Sequence, residues 1–240
     1  MERYEFNRQL ADAARAMAEE NDTEHSLDHV VGLATDLLPH CDLAGLAVVR
    51  SGGIEVLAAN REELRLIDEL QFELGEGPCV GALRDTDVVS VGNVEADPRW
   101  PRWGPHISEH FDIRSAISFR LFTEGTTLAA LNVYSKKPDA FTQEDLVDGL
   151  VVAAQAAVAL SGALELDQLH QALRSRQTIG EAIGMLRERF DLTSDKAFAV
   201  LKRLSSQQNV KLVRVAQHIV DTGSLPVPPG SLATDVVNGR

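Results

Sequence analysis

Two cysteines, Cys41 and Cys79, are too few for a disulfide framework across 240 residues, and a chain so poor in thiols suits a reducing cytoplasm. Each is expected as a small buried apolar side chain. The N-terminal region lacks a basic start followed by an apolar stretch, so no signal peptide is expected. Long hydrophobic runs are missing too. The longest charge-free run, Gly149–Leu164, holds Gln155 and Ser161 and falls short of the about 20 apolar residues a membrane span needs. No membrane contact is expected. Catalytic signatures are also absent: there is no Gly-x-Ser-x-Gly elbow, kinase set or Walker pattern, and the acids scatter too widely for a carboxylate pair. An enzyme is not expected.

Positive charge is short overall, with a net of −13. Such a chain repels phosphate as a whole. The shortage is uneven, however. Residues 1–161 carry 28 acids against 13 bases, whereas residues 162–222 carry 7 against 9. Any nucleic-acid contact therefore belongs to the second segment.

What the sequence does contain is a long helical pattern from Thr142 to Arg189. Leu146, Leu150, Ala153, Ala157, Leu160 and Leu164 recur at alternating spacings of four and three, a heptad seam. Val147, Val151, Val152, Ala154 and Val158 cover the other faces, so this half is apolar nearly all round and is expected to be buried on more than one side. One side would meet the preceding domain and the other a second copy of the chain. Leu166, Leu169 and Leu173 continue a narrow seam into a second stripe, Ile179, Ala182, Ile183, Leu186 and Phe190.

Upstream, Phe6–Met17 reads as an amphipathic helix, and a second follows with Asn21 and Glu24 spaced as a capping box and Pro39 as its stop. Leu43–Arg50 and Ile54–Ala59 read as strands about Ser51-Gly52-Gly53, Val88–Val91 as a strand, and Ser115–Leu121 and Thr127–Tyr134 as a pair about Glu124-Gly125-Thr126. Short antiparallel strands with helices gathered around them indicate an α+β domain. Gly75, Gly77 and Gly81 do not match a nucleotide fingerprint, and a tight turn into a helix is expected there. His25 with His29, and His106 with His110, have ligand spacing but no further donor, so no metal is expected. Trp100 and Trp103 either lid a pocket or anchor their loop to the sheet.

The Gly-Glu-Gly-Pro-Cys turn at 75–79, the Asp-Pro-Arg-Trp loop at 97–100, Leu131-Asn132-Val133-Tyr134-Ser135 and Pro138-Asp139-Ala140-Phe141 resemble a GAF domain over about residues 24–161, behind an N-terminal helix at 1–23. The resemblance implies a sensory module with an antiparallel sheet, which holds a small-molecule signal or serves only as a dimer platform; a ligand is allowed but no cofactor is required. The cyclic-nucleotide signature is unmatched, and no cysteine stands where bilin-binding members attach pigment. Pocket candidates are Cys79, Trp100, Trp103 and Phe119.

Residues 162–222 resemble an ANTAR domain. The likeness rests on Ala172-Leu173-Arg174, Ile179-Gly180-Glu181-Ala182-Ile183-Gly184-Met185-Leu186, Asp195–Leu201 and Asn209–Val220. Local signals agree with three helices: Thr193 caps the second, Asn209 the third, and Leu192 staples onto Ala197. Phe198 and Val213 are expected to face inward. The family implies a dimer that holds RNA stem-loops and prevents a terminator from forming. Many members have Lys where Ile183 stands. The residues expected to meet RNA are Arg174, Arg176, Lys202, Arg203, Ser205, Lys211, Arg214 and His218. Phe190 and Phe198, the bundle's only aromatics, lie on apolar faces, so base stacking is expected to add little. Residues 223–240 read as a disordered tail. The expectation is a cytoplasmic homodimeric antitermination regulator; the alternative is a ligand-sensing dimer whose helical tail binds protein or DNA.

Overall fold

The computed structural model describes residues 3–19, 23–50, 53–84, 86–122 and 128–226. The chain separates into two compact units, Met1–Glu165 and Leu166–Arg240. In the first, α1 (Arg3–Glu19) and α2 (Thr23–Leu37) precede β1 (Leu43–Arg50) and β2 (Gly53–Ala59). Then follow α3 (Glu63–Leu74), α4 (Pro78–Arg84), β3 (Val88–Val91), α5 (Trp103–Phe111), β4 (Ser115–Phe122) and β5 (Leu128–Ser135). The five strands form one antiparallel sheet in the order β2-β1-β5-β4-β3. The expected α+β architecture is therefore present. The tips of both expected hairpins and Asn21 of the expected capping box lie outside the described residues.

Alternation along each strand divides the sheet into two faces. Ala44, Leu46 and Val48 share one face with Ile117, Phe119, Leu121, Ala129, Leu131 and Val133, and pack with α1, α2 and the first part of α6 (Gln143–Phe190). Leu43, Val89, Ala116 and Tyr134 point to the other, beneath Leu64, Ile67, Trp103 and Ile107 of α3 and α5. The central strands β1, β5 and β4 are thus covered on both sides by helices.

A reciprocal capping box opens α6: Thr142 N donates to Asp145 Oδ2 at 2.7 Å, and Asp145 N donates to Thr142 Oγ1 at 3.3 Å. Gly149 is required one turn on, because a Cβ there would stand 2.2 Å from Phe119 Cζ. By length and composition α6 is apolar enough to cross a membrane, yet Val152, Ala153, Ala156 and Leu160 lie in the core of the first unit. Full burial of a leucine such as Leu160 is worth about 1.5–3 kcal/mol.

The heptad seam needs correction. Ala153 and Leu160 are buried, and Leu146, Ala157 and Leu164 are half-buried against the same core; only Leu150 is exposed, at 47 %. The apolar row left in water is instead Val147, Leu150, Ala154 and Val158, continued by Leu166, Leu169 and Leu173. A helix apolar all round offers several seams of equal spacing, and the sheet takes the one with the small Ala153 and Ala156 that allow close approach.

In the second unit, the rest of α6 packs with α7 (Ser194–Gln208) and α8 (Leu212–Thr222) around Ala182, Leu186, Ala197, Val200, Leu201, Leu204, Val215, Ala216 and Ile219. Thr193 caps α7 as expected, its side chain accepting from Lys196 N. Each helix stops at a left-handed residue: Asp191, Asn209 and Gly223 have φ of 51°, 52° and 66°. Asn209 therefore ends α7 rather than capping α8, whose N-cap is Lys211, without a side-chain bond. Val215 is buried and Val213 only half so. The tail also starts later than expected. Leu225 is buried in the bundle, and Gln208 Nε2 donates to Pro226 O; residues 227–240 lie outside the described residues.

Candidate functional site

Asp68 and Gln71, one turn apart on α3, point at the sheet, and Asn132 and Tyr134 alternate on β5 to meet them. All four are fully buried. Tyr134 OH donates to Asp68 Oδ1 at 2.7 Å, Gln71 Nε2 to the same oxygen at 2.8 Å, and Asn132 Nδ2 to Asp68 Oδ2 at 2.8 Å. Burial raises the Asp68 carboxyl to about 6, against the lowering effect of its three donors. Cys79, beside this cluster, is also buried, and burial pushes its thiol up, which keeps it protonated and unreactive.

The same cluster explains the glycine-rich stretch. Gln71 Oε1 accepts from Cys79 N at 2.8 Å, pulling the turn onto α3. At Gly77, with φ of 123°, a Cβ would stand 2.2 Å from that oxygen. The first turn of α4 is thus held by protein, in keeping with a tight turn. Its neighbour Glu76 accepts the backbone N–H groups of Arg102 and Trp103 at 2.9 and 3.1 Å and the Arg102 guanidinium at 2.7 Å. Those bonds hold its carboxyl below the usual range and fix the start of α5.

Trp103 is fully buried and donates from Nε1 to Ile67 O at 3.4 Å, and Trp100 meets it edge-on at 6.0 Å with Arg99 over its outer face. The tryptophans anchor the loop. Phe119 must be removed from the pocket set: it points to the opposite face of the sheet, under Gly149. The period-two count from Tyr134 through the β4–β5 register fixes this, as Phe119 opposes Leu131 and not Asn132. Asp68, Gln71, Asn132 and Tyr134 are the residues that sequence reasoning missed. The signal was two polar groups two apart in an apolar strand. Among the described residues no metal-holding cluster occurs, and the His106 and His110 rings simply stack at 4.1 Å.

Asp68 gives the front unit a pH signature. Its folded pKa lies above the unfolded value, so the cost of burying the charge is present above about pH 6 and fades as pH falls toward 4. The wild type should therefore gain about 1 kcal/mol on Asp68→Asn between about pH 7 and pH 5. Paired urea melts check this, and a difference that stays flat with pH would refute it.

In the second unit, Lys211, Arg214 and His218 are exposed in one row of α8, away from Val215, Ala216 and Ile219. Two of these cations occupy the start of a helix, where the backbone dipole already presents positive charge and no acid offsets it. This costs stability locally and focuses positive potential at one point. The other expected contacts scatter. Lys202 and Arg203 are consecutive on α7 and so point about 100° apart; Lys202 is exposed, and Arg203 is half-buried with a partner of its own. Arg174 and Arg176 are both exposed on α6, but two residues on a helix diverge by about 200°. Ser205 is already used, donating from Oγ to Val210 O at 2.6 Å at the α7–α8 turn. Phe198 is 41 % exposed rather than inward.

The family model described as a GAF domain matches residues 20–161, and the model described as an ANTAR domain matches residues 167–220. No curated protein matches the chain. Among solved structures, the GAF domain of a phosphoenolpyruvate-protein phosphotransferase from Coxiella burnetii is 16 % identical with a TM-score of 0.55, covering 68 % of this chain and 96 % of its own. A free methionine-R-sulfoxide reductase from Neisseria meningitidis, in complex with its substrate, is 18 % identical with a TM-score of 0.52, covering 67 % and 91 %. The phycoerythrobilin-bound GAF domain of a cyanobacterial phytochrome is 15 % identical with a TM-score of 0.51, covering 66 % and 95 %. These likenesses are of fold alone.

Proposed function

From the premise that the chain belongs to the GAF family and carries an ANTAR domain behind its GAF domain, a regulatory architecture, we propose that it is a cytoplasmic antitermination regulator. The ANTAR bundle holds stem-loops of nascent RNA, and the GAF domain serves as the platform on which two copies pair. The observation that carries this reading is the placement of Lys211 and Arg214 at the N-terminal end of α8, against the helix dipole. Cations there are unfavourable for the helix and favourable for a phosphate ligand.

The exposed row Val147, Leu150, Ala154 and Val158 supports pairing. Leu150, Ala154 and Val158 of this row border, with Arg120 and Phe122, an open groove of about 560 Å³, and Phe122 and Val158 are 66 % and 71 % exposed. Apolar rows of this kind on monomers mark association surfaces.

Titration of the full chain with stem-loop RNA, fully paired RNA and duplex DNA tests the function. The expected result is preference for the stem-loop, with log K falling by about 0.7 per decade of salt for each single-strand phosphate contact. Equal affinity for paired and looped RNA would overturn loop recognition, and an unchanged yield of terminated transcript would overturn antitermination.

A second reading of the front domain is uptake of a small polar molecule. Ser118 Oγ and Asn132 Oδ1 are opposed across β4 and β5, buried, and lack a hydrogen-bond partner among the described residues. A ligand satisfying them raises the melting temperature by mass action, so a metabolite screen by thermal shift with no hit would leave the platform alone.

A further inference from the structure

The buried positions of α7, Ala197, Val200, Leu201 and Leu204, fix the line along which that helix meets the rest of the bundle. Phe198 follows Ala197 and lies about 100° around the helix from it, which is why it is left 41 % in water. Lys202 stands four residues further along the same flank and Asn209 at its end, both exposed. The chain then turns through Val210, itself 39 % exposed and tied back to α7 by the Ser205 hydroxyl, into the cation Lys211. The result is an exposed aromatic ring with one cation, Lys202, a turn away on the same flank of α7. Asp195 lies one turn before, at the start of α7, so the positive side of this surface is the end toward Lys202 and Lys211.

We propose that Phe198 is the platform on which one unpaired base of a bound RNA loop stacks, with Lys202 holding the adjoining phosphate. The inference rests on the reading of the bundle as an RNA binder and adds to it a way of telling loops from stems. Phosphate contacts made by Lys211 and Arg214 are available on any duplex. A flat ring on a helix surface, by contrast, is met only by a base free of its own stack, which a loop supplies and an intact stem does not. The ring faces outward beside Lys202 rather than toward the bundle core, so base and phosphate of one nucleotide can be taken together. Such stacking tolerates any base, so it tells loop from stem rather than one loop sequence from another.

The test uses the full chain and a hairpin that it has selected from a pool with a randomised loop, with 2-aminopurine placed at one loop position at a time. Wild type and Phe198→Tyr should each quench one loop position, since both keep an aromatic plane. Phe198→Leu keeps the apolar volume and loses the plane; it should lose the quench and bind roughly ten- to hundred-fold more weakly. Its log K against log salt should keep the wild-type slope, because no phosphate contact has gone, whereas Lys202→Gln should flatten that slope by about 0.7. Wild-type affinity and quenching in Phe198→Leu would overturn the proposal. So would a loss that tracks a change of oligomeric state by light scattering, which would make this surface a contact between copies. If no hairpin is selected at all, the RNA reading itself fails and the stacking proposal goes with it, an outcome distinct from tight binding without quenching.

Discussion

Reversal of Lys211 and Arg214 together to glutamate should remove hairpin binding, by on the order of a hundred-fold or more near physiological salt, without loosening the bundle. Two attractive contacts become two repulsive ones at the point where α8 concentrates its positive potential. Charge reversal often harms a fold, but here the opposite is expected. Lys211 caps α8 through its backbone only, and Arg214 lies in the first turn. A glutamate at either place faces the positive end of the helix dipole, which favours the helix by about 0.3–1 kcal/mol. The variant should therefore melt at or slightly above the wild-type temperature while binding no RNA. Undiminished binding would refute the assignment of this face, and a lowered melting temperature would refute the dipole argument.

The second large effect concerns α6. Leu150→Asp with Val158→Asp should yield a folded monomer, because both side chains lie in the exposed row, at 47 % and 71 % exposure, and neither enters the sheet-facing core. Leu160→Asp should instead unfold the front unit. Leu160 is 1 % exposed, and a buried unpaired carboxylate adds its own penalty to the lost packing. Light scattering and circular dichroism separate the two results. A wild type that stays monomeric at high micromolar concentration would overturn pairing through this row, and a Leu160→Asp protein that melts like the wild type would overturn the placement of the helix.

That pair of variants also shows how far the sequence could be read. Strands were legible because alternation and turn residues coincide, as at Leu43–Arg50, Val88–Val91 and Ser115–Phe122. The bundle was legible because Thr193 and the apolar stripe of α7 agree. The seam was not, since Leu146–Leu164 is apolar on every side and periodicity within one helix does not say which side a sheet will claim. Phe198 failed for a related reason: it adjoins Ala197, and only the packing of α8 decides which of two neighbours is inside. Phe119 was assigned to the wrong face because its place depends on register with β5. The cluster of Asp68, Gln71, Asn132 and Tyr134 joins groups more than sixty residues apart, and nothing local marks them as partners. Lys211, Arg214 and His218 were legible because their relation lies within one helix. Arg203 and Ser205 were not, because each is already engaged within the protein, Ser205 by the backbone of Val210.

The three left-handed stops of the bundle have a consequence for how much room its sequence has to vary. Only one of them, Gly223, is a residue for which that handedness is free of strain. Asp191 and Asn209 hold the same geometry with a Cβ in place, at a cost on the order of 1 kcal/mol each. Glycine at either position would relieve it without touching any side chain of the core. The bundle thus sits below the stability its own backbone permits, which is the usual condition of proteins selected to exceed a threshold rather than to reach an optimum. A drift that weakens the helix start at Lys211 and Arg214 in favour of a ligand has, two residues before Lys211, a ready compensation at Asn209.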